Sequence, residues 1–139
     1  MNNKLSIEEF RKYKEQLQKI IDDFKNNYEV MKNNPSYNEA QEEEKSIAAY
    51  FKIEQDLFSY DLSAIPYEEY QNLSIMATDQ EELDLSNSHA NIDFSLIEVF
   101  GHCNFKGCNL KNIEKVNDRI SPKYLDTDIF LKNKDLFLS

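Results

Sequence analysis

The chain has 139 residues, 40% hydrophobic and 30% charged, with nine Phe, eight Tyr, only two Gly and three Pro, and a formal net charge of −10. That length suits one domain with its own core, and so little Gly argues against phosphate-cradling loops and many-stranded sandwiches. Residues 37–100 carry two basic side chains against fifteen acidic ones, while residues 1–36 and 101–139 are nearly balanced, so the middle segment repels phosphate backbones and direct nucleic-acid binding is not expected.

Met1-Asn2-Asn3-Lys4 runs into charged sequence without an apolar leader, and nowhere do eighteen apolar residues follow one another. A cytoplasmic protein that does not span a membrane is expected. Ser6-Ile7-Glu8-Glu9 is a capping box and predicts a helix start. From there Phe10, Leu17, Phe24 and Met31 recur every seven residues, with Tyr13 and Ile20 between them and Ile21 and Tyr28 widening the stripe. A helix over residues 6–33 follows, with Lys12, Glu15, Lys19, Asp22 and Asp23 on its wet face.

Pro35 breaks this pattern, and Ser36 or Asn38 can cap a second helix over 37–60. Its expected buried stripe is Ala40, Ile47, Ala48, Phe51 and Phe58, with Leu57 beside it and Glu42, Glu43 and Glu44 outside. Two long amphipathic helices with a short connection predict an antiparallel hairpin, each burying its stripe on the other. Residues 63–70 predict a short helix with Pro66 in its first turn, and Leu73–Ala77 a strand.

Beyond the Asp79–Glu82 loop, a triplet of small or apolar residue, Asn or Asp, then apolar residue recurs at Leu83-Asp84-Leu85, Ala90-Asn91-Ile92, Cys103-Asn104-Phe105 and Cys108-Asn109-Leu110. The last two, extended to Cys103-Asn104-Phe105-Lys106-Gly107 and Cys108-Asn109-Leu110-Lys111-Asn112, resemble two units of the pentapeptide-repeat family, a likeness that covers residues 90–113. The resemblance implies a right-handed, four-sided β-helix with Cys103, Phe105, Cys108 and Leu110 inside. Glu98 at a small-residue position and Lys115 at a central one depart from the pattern, and an irregular small sheet competes equally. Ser121-Pro122 and Thr127 predict short C-terminal helices. The expected class is α+β in one domain: a hairpin over 1–60, a β-rich or pentapeptide-like segment over 61–120 and a helical cap over 121–139.

His89, His102, Cys103 and Cys108 share one window, which raises the alternatives of a zinc-binding domain or a small Cys/His enzyme with His102 or His89 as base and Asp93 orienting it. The adjacent His102 and Cys103 would face opposite ways in a strand, and no Gly-rich elbow adjoins either thiol. No catalytic residue, metal ligand or cofactor is therefore assigned. The leading expectation is a non-catalytic interaction module, monomer or weak dimer, that could inhibit a protein partner with a basic surface. Its candidate contact residues are Glu42, Glu43, Glu44, Glu54, Asp56, Glu68, Glu69, Glu81, Glu82, Tyr67 and Tyr70. A DNA mimic that inhibits a nucleic-acid-binding enzyme is the sharper alternative, and a merely solvated acidic face is the plainer one.

Overall fold

Ser6 opens the first helix, α1 (Ile7–Met31), with a reciprocal capping box: its hydroxyl accepts the Glu9 N–H at 3.1 Å and the Glu9 carboxylate accepts the Ser6 N–H at 3.3 Å. The structure, a computed structural model, describes residues 3–78 and 80–115. A second helix, α2 (Glu39–Leu57), begins at Asn38, whose side-chain oxygen accepts the Gln41 N–H at 3.1 Å. The two helices pack on each other. At one end the Tyr13 hydroxyl donates to Asp56 at 2.7 Å, and near the turn the Tyr28 and Tyr37 rings lie 6.3 Å apart.

The chain then returns to its start. Leu5 N–H donates to the Asp61 carbonyl at 3.0 Å and Asp61 N–H to the Asn3 carbonyl at 2.8 Å, which ties residues 3–5 beside the end of the helix pair. A 3-10 turn, Tyr67–Tyr70, follows Pro66, which stands before the turn rather than inside its first residues. Six short strands follow, β1 (Ser74–Met76), β2 (Leu83–Asp84), β3 (Asn91–Asp93), β4 (Glu98–Phe100), β5 (Cys103–Asn104) and β6 (Asn109–Lys111), and a second 3-10 turn, Ile113–Lys115, ends the described chain. The architecture is thus mixed α+β, two helices beside a set of strand pieces.

All pairing between these strands is parallel, β1 with β4, β2 with β5 and β3 with β6. Each later strand lies against the one three places earlier, so like residues stack: Ile75 opposite Val99, Leu83 opposite Cys103, Ile92 opposite Leu110. The first four are buried, Ile92 is buried, and Leu110 packs on the same core. Phe94 and Phe105 meet edge to face, ring centroids 5.3 Å apart, which suits the quadrupoles of both rings.

The Asn and Asp of the triplets turn the chain between strands. Asp84 accepts the Ser86 N–H at 2.8 Å and Asn104 accepts the Lys106 N–H at 3.1 Å, the local bonds that make these residues turn formers. Asn91 and Asn109 instead bond to one another at 3.0 Å across the β3–β6 pair, and Asn91 also donates to the Ile65 carbonyl at 2.8 Å. Asp93, two residues into the next corner, accepts from Ser95 N–H at 2.9 Å. The helices expected after Ser121 and Thr127 lie outside the described residues.

The buried face of α2 differs from the expected one. Tyr50, Phe51, Glu54 and Leu57 are buried, followed by Phe58, whereas Ala40 and Ala48 are exposed and Ile47 is half-buried. The helix packs against β1 and β2 as well as α1, which rotates Tyr50 and Glu54 inward. On α1 only Phe10 and Leu17 are buried, Phe24 and Met31 are half-buried, and Val30 is 80% exposed. The distal parts of both helices therefore carry apolar side chains that the strands do not cover.

Candidate partner-binding surface

The first turns of α2 present Glu39 and Glu44 to solvent, with Glu42 and Glu43 half-buried and Glu42 3.6 Å from Lys45. Acidic side chains there also complement the helix dipole. Across from them, the Thr78 hydroxyl accepts the Glu81 N–H at 2.9 Å and the Gln80 N–H at 3.3 Å, a local turn that places Glu81 outside the end of β1. Glu81 and Glu82 are both exposed.

Two concavities adjoin here. One, of about 330 Å³, lies between α1, α2 and the β1–β4 pair, with Ile20, Phe24, Tyr50, Met76 and Phe100 in its walls and Lys25 and Glu43 at its margin. The other, of about 460 Å³, includes Glu44, Lys45, Ala48 and Glu81. The two share Ile47 and Ala77 in their walls, so an apolar concavity and a more polar one adjoin as a furrow, with Glu43 lining the first and Glu44, Lys45 and Glu81 the second. Of the expected contact residues, Glu44 and Glu81 line one concavity and Glu43 lines its neighbour.

The others are placed elsewhere. Asp56 is engaged by the Tyr13 hydroxyl. Glu69 holds Arg11 through two contacts, 2.7 and 3.1 Å, and that hydrogen bond keeps its carboxyl below the ordinary value. Glu68 is exposed, and Tyr67 is half-buried with the Lys111 ammonium 4.3 Å from its ring centre. Glu82 lies beside Gln55, Phe58 and Asp84 in a separate polar cleft.

Two expected contact residues are internal and drop out of the surface. Glu54 is 1% exposed and accepts the Met76 N–H at 2.8 Å through Oε2, while Oε1 has no hydrogen-bond partner among the described residues. Burial drives its pKa well above the ordinary carboxylate value, only partly offset by the Met76 bond. Tyr70 is fully buried against Phe10, ring centroids 4.7 Å apart. Charge counting along the sequence could not separate Glu54 from its neighbours, because a helical carboxylate reads as wet unless a tertiary partner faces it.

The Cys/His window holds one buried and one half-buried thiol. Cys103 is buried, and burial raises its thiol well above the ordinary value; Cys108 is pushed up to about 11 by burial, with its Sγ 3.4 Å from the Leu85 carbonyl. Both thiols are free, and burial favours their protonated form near neutral pH. His102 is half-buried and His89 exposed, at a positive φ of 51°. Among the described residues no group of three or more His, Cys, Asp or Glu is placed to hold a metal ion, and no helix is long and apolar enough to cross a membrane.

Lys25, Phe24, Met76 and Phe100 belong to the furrow and were not singled out as contact residues by their sequence. A signal existed: the seven-residue stripe of α1 continues past Leu17 to Phe24 and Met31, while residues 39–46 at the start of α2 include no large apolar side chain to meet it. Comparison of the chain with known protein families, with curated proteins and with solved structures finds no match.

Proposed function

We propose that this protein is a non-catalytic interaction module that engages a protein partner with a basic surface and can inhibit it. The observation that carries the reading is that carboxylates from two separate elements, Glu43 and Glu44 of α2 and Glu81 after β1, line two adjoining concavities that share Ile47 and Ala77. Carboxylates scattered over a solvated surface serve solubility alone. Carboxylates beside an apolar concavity match what a protein partner offers, apolar contact for affinity and charge for register and rate of encounter. The protonated thiols speak against a Cys/His enzyme, and two free cysteines suit a reducing compartment such as the cytoplasm.

In finer terms we read the helices as an antiparallel hairpin seated on two turns of a coil similar to pentapeptide repeats. Support comes from the contacts at both ends of the helix pair and from the parallel stacking of Ile75 on Val99, Leu83 on Cys103 and Ile92 on Leu110.

Affinity capture from native lysate, with the bound proteins identified, tests the function. Capture is expected to weaken steeply between low and moderate salt and to be lost when Glu43, Glu44 and Glu81 are changed together to Gln. Capture indifferent to both would overturn the reading. Competition by duplex DNA would specify the DNA-mimic form, and its absence would remove that form while leaving the module. A folded Cys103→Ser, Cys108→Ser variant without biological effect would favour the enzyme instead.

A further inference from the structure

We infer that the furrow at Ile47 is the seat of an amphipathic helical segment with basic flanks, supplied by the partner. The inference rests on the acidic-module reading above and gives it a place and a mode. Ile20, Phe24, Ile47, Met76 and Phe100 are all half-buried, although they converge from α1, α2, β1 and β4 on one concavity of about 330 Å³. Large apolar side chains that face one another without closing their common space mark a contact surface rather than a finished core.

The shape favours a helix. A groove floored by residues of two packed helices and walled by a strand pair accepts apolar anchors spaced at i, i+3, i+4 and i+7 on one incoming face. The charge favours a basic one. Glu43 stands at the margin of the groove, Glu44 and Glu81 border the adjoining concavity, and the segment from residue 37 to 100 holds fifteen acidic side chains against two basic ones. A second copy of this chain would bring the same acidic segment to the same place and be repelled. Two lysines share these walls with the three carboxylates: Lys25, exposed in the apolar concavity, and Lys45, in the adjoining one and 3.6 Å from Glu42, which leaves Lys25 as the cation of the apolar concavity without a described ion pair.

A fluorescent Leu/Lys peptide with the helical anchor spacing, its sequence-permuted isomer and a Lys/Ser peptide of equal charge, each titrated by anisotropy at moderate salt, test this. The patterned peptide is expected to bind at least roughly tenfold more tightly than the other two, and Phe24→Ser or Ile47→Ser to weaken it by about tenfold. Circular dichroism checks that these variants fold. Lys25→Glu, at an exposed position, should tighten the patterned peptide two- to threefold, roughly what one added charge contributes at moderate salt, and keeps the inference testable if the apolar variants unfold. Equal binding of all three peptides, undisturbed by Ile47→Ser, would overturn the groove while leaving the acidic module standing. Patterned binding that survives Glu43→Gln, Glu44→Gln and Glu81→Gln would overturn the basic character of the occupant, and with it the acidic module. No binding of the patterned peptide to wild type, the result if the chain's own remaining residues or a second copy fill the furrow, would overturn the inference outright.

Discussion

Glu54 of α2 accepts the backbone N–H of Met76 in β1 at 2.8 Å, so a helix side chain occupies the place of a neighbouring strand's carbonyl. One helical turn earlier the Tyr50 hydroxyl donates to the Ser74 carbonyl of the same strand. On its other side β1 pairs with β4, where Ala77 N–H reaches the Phe100 carbonyl at 2.8 Å. Residues 50 and 54 share a helix face, and Ser74 and Met76 share a strand edge, so two side chains at helical spacing match two backbone groups at strand spacing. Helix α2 thereby covers the free edge of the first strand, a standard protection against unwanted strand addition.

This arrangement makes stability depend on pH. Burial raises the Glu54 pKa, so ionisation costs more in the folded chain than in the unfolded one. The stability this group contributes is complete below the ordinary value of 4.5 and is lost as pH rises through the folded value. Thermal melts of wild type are expected to fall over that range, while Glu54→Gln, which cannot ionise, should flatten the dependence and melt higher at the alkaline end. A profile identical in both proteins would show that Glu54 ionises freely. Glu54→Ala should instead cost about 3 kcal/mol, since it leaves a cavity and an unpaired Met76 N–H.

Tyr50→Phe keeps the buried ring and removes only the hydroxyl that satisfies Ser74. A loss of about 1–2 kcal/mol in denaturant unfolding is expected, the cost of one buried carbonyl left without a donor. A double-mutant cycle with Glu54→Gln should show coupling, because both side chains hold the same strand edge.

Gly107 has φ +85°, and a Cβ there would stand 2.8 Å from the Ser86 carbonyl oxygen, a rigid backbone atom. Gly107→Ala combines that clash with a left-handed backbone that side chains disfavour. The expected destabilisation is roughly 2 kcal/mol, read as a lower denaturation midpoint. A neutral result would mean that the β2–β3 corner yields easily.

Phe105 packs edge-on against Phe94 in the middle of the strand core and is 1% exposed. Phe105→Ala should cost about 3–5 kcal/mol, and Phe105→Leu much less. Exposed carboxylates behave differently: Glu44→Gln and Glu81→Gln should each shift stability by less than about 0.5 kcal/mol. That contrast separates residues kept for the fold from residues available to a partner.

Local chemistry was legible from the chain alone wherever cause and effect lie a few residues apart. The Ser6–Glu9 box starts α1, Asn38, one of the two caps the sequence offers, starts α2, and Pro35 separates them, because each acts on backbone groups within a few residues of itself. The concentration of acid between residues 37 and 100 is equally a property of sequence. Which carboxylates reach solvent is not. Glu54 and Glu44 look alike along α2, yet one is sealed against β1 and the other borders a furrow, and the difference comes from a strand more than twenty residues away whose edge needed an acceptor. Helical periodicity names a set of faces, and only the unmet hydrogen bonds and apolar surface of distant elements choose the one turned inward.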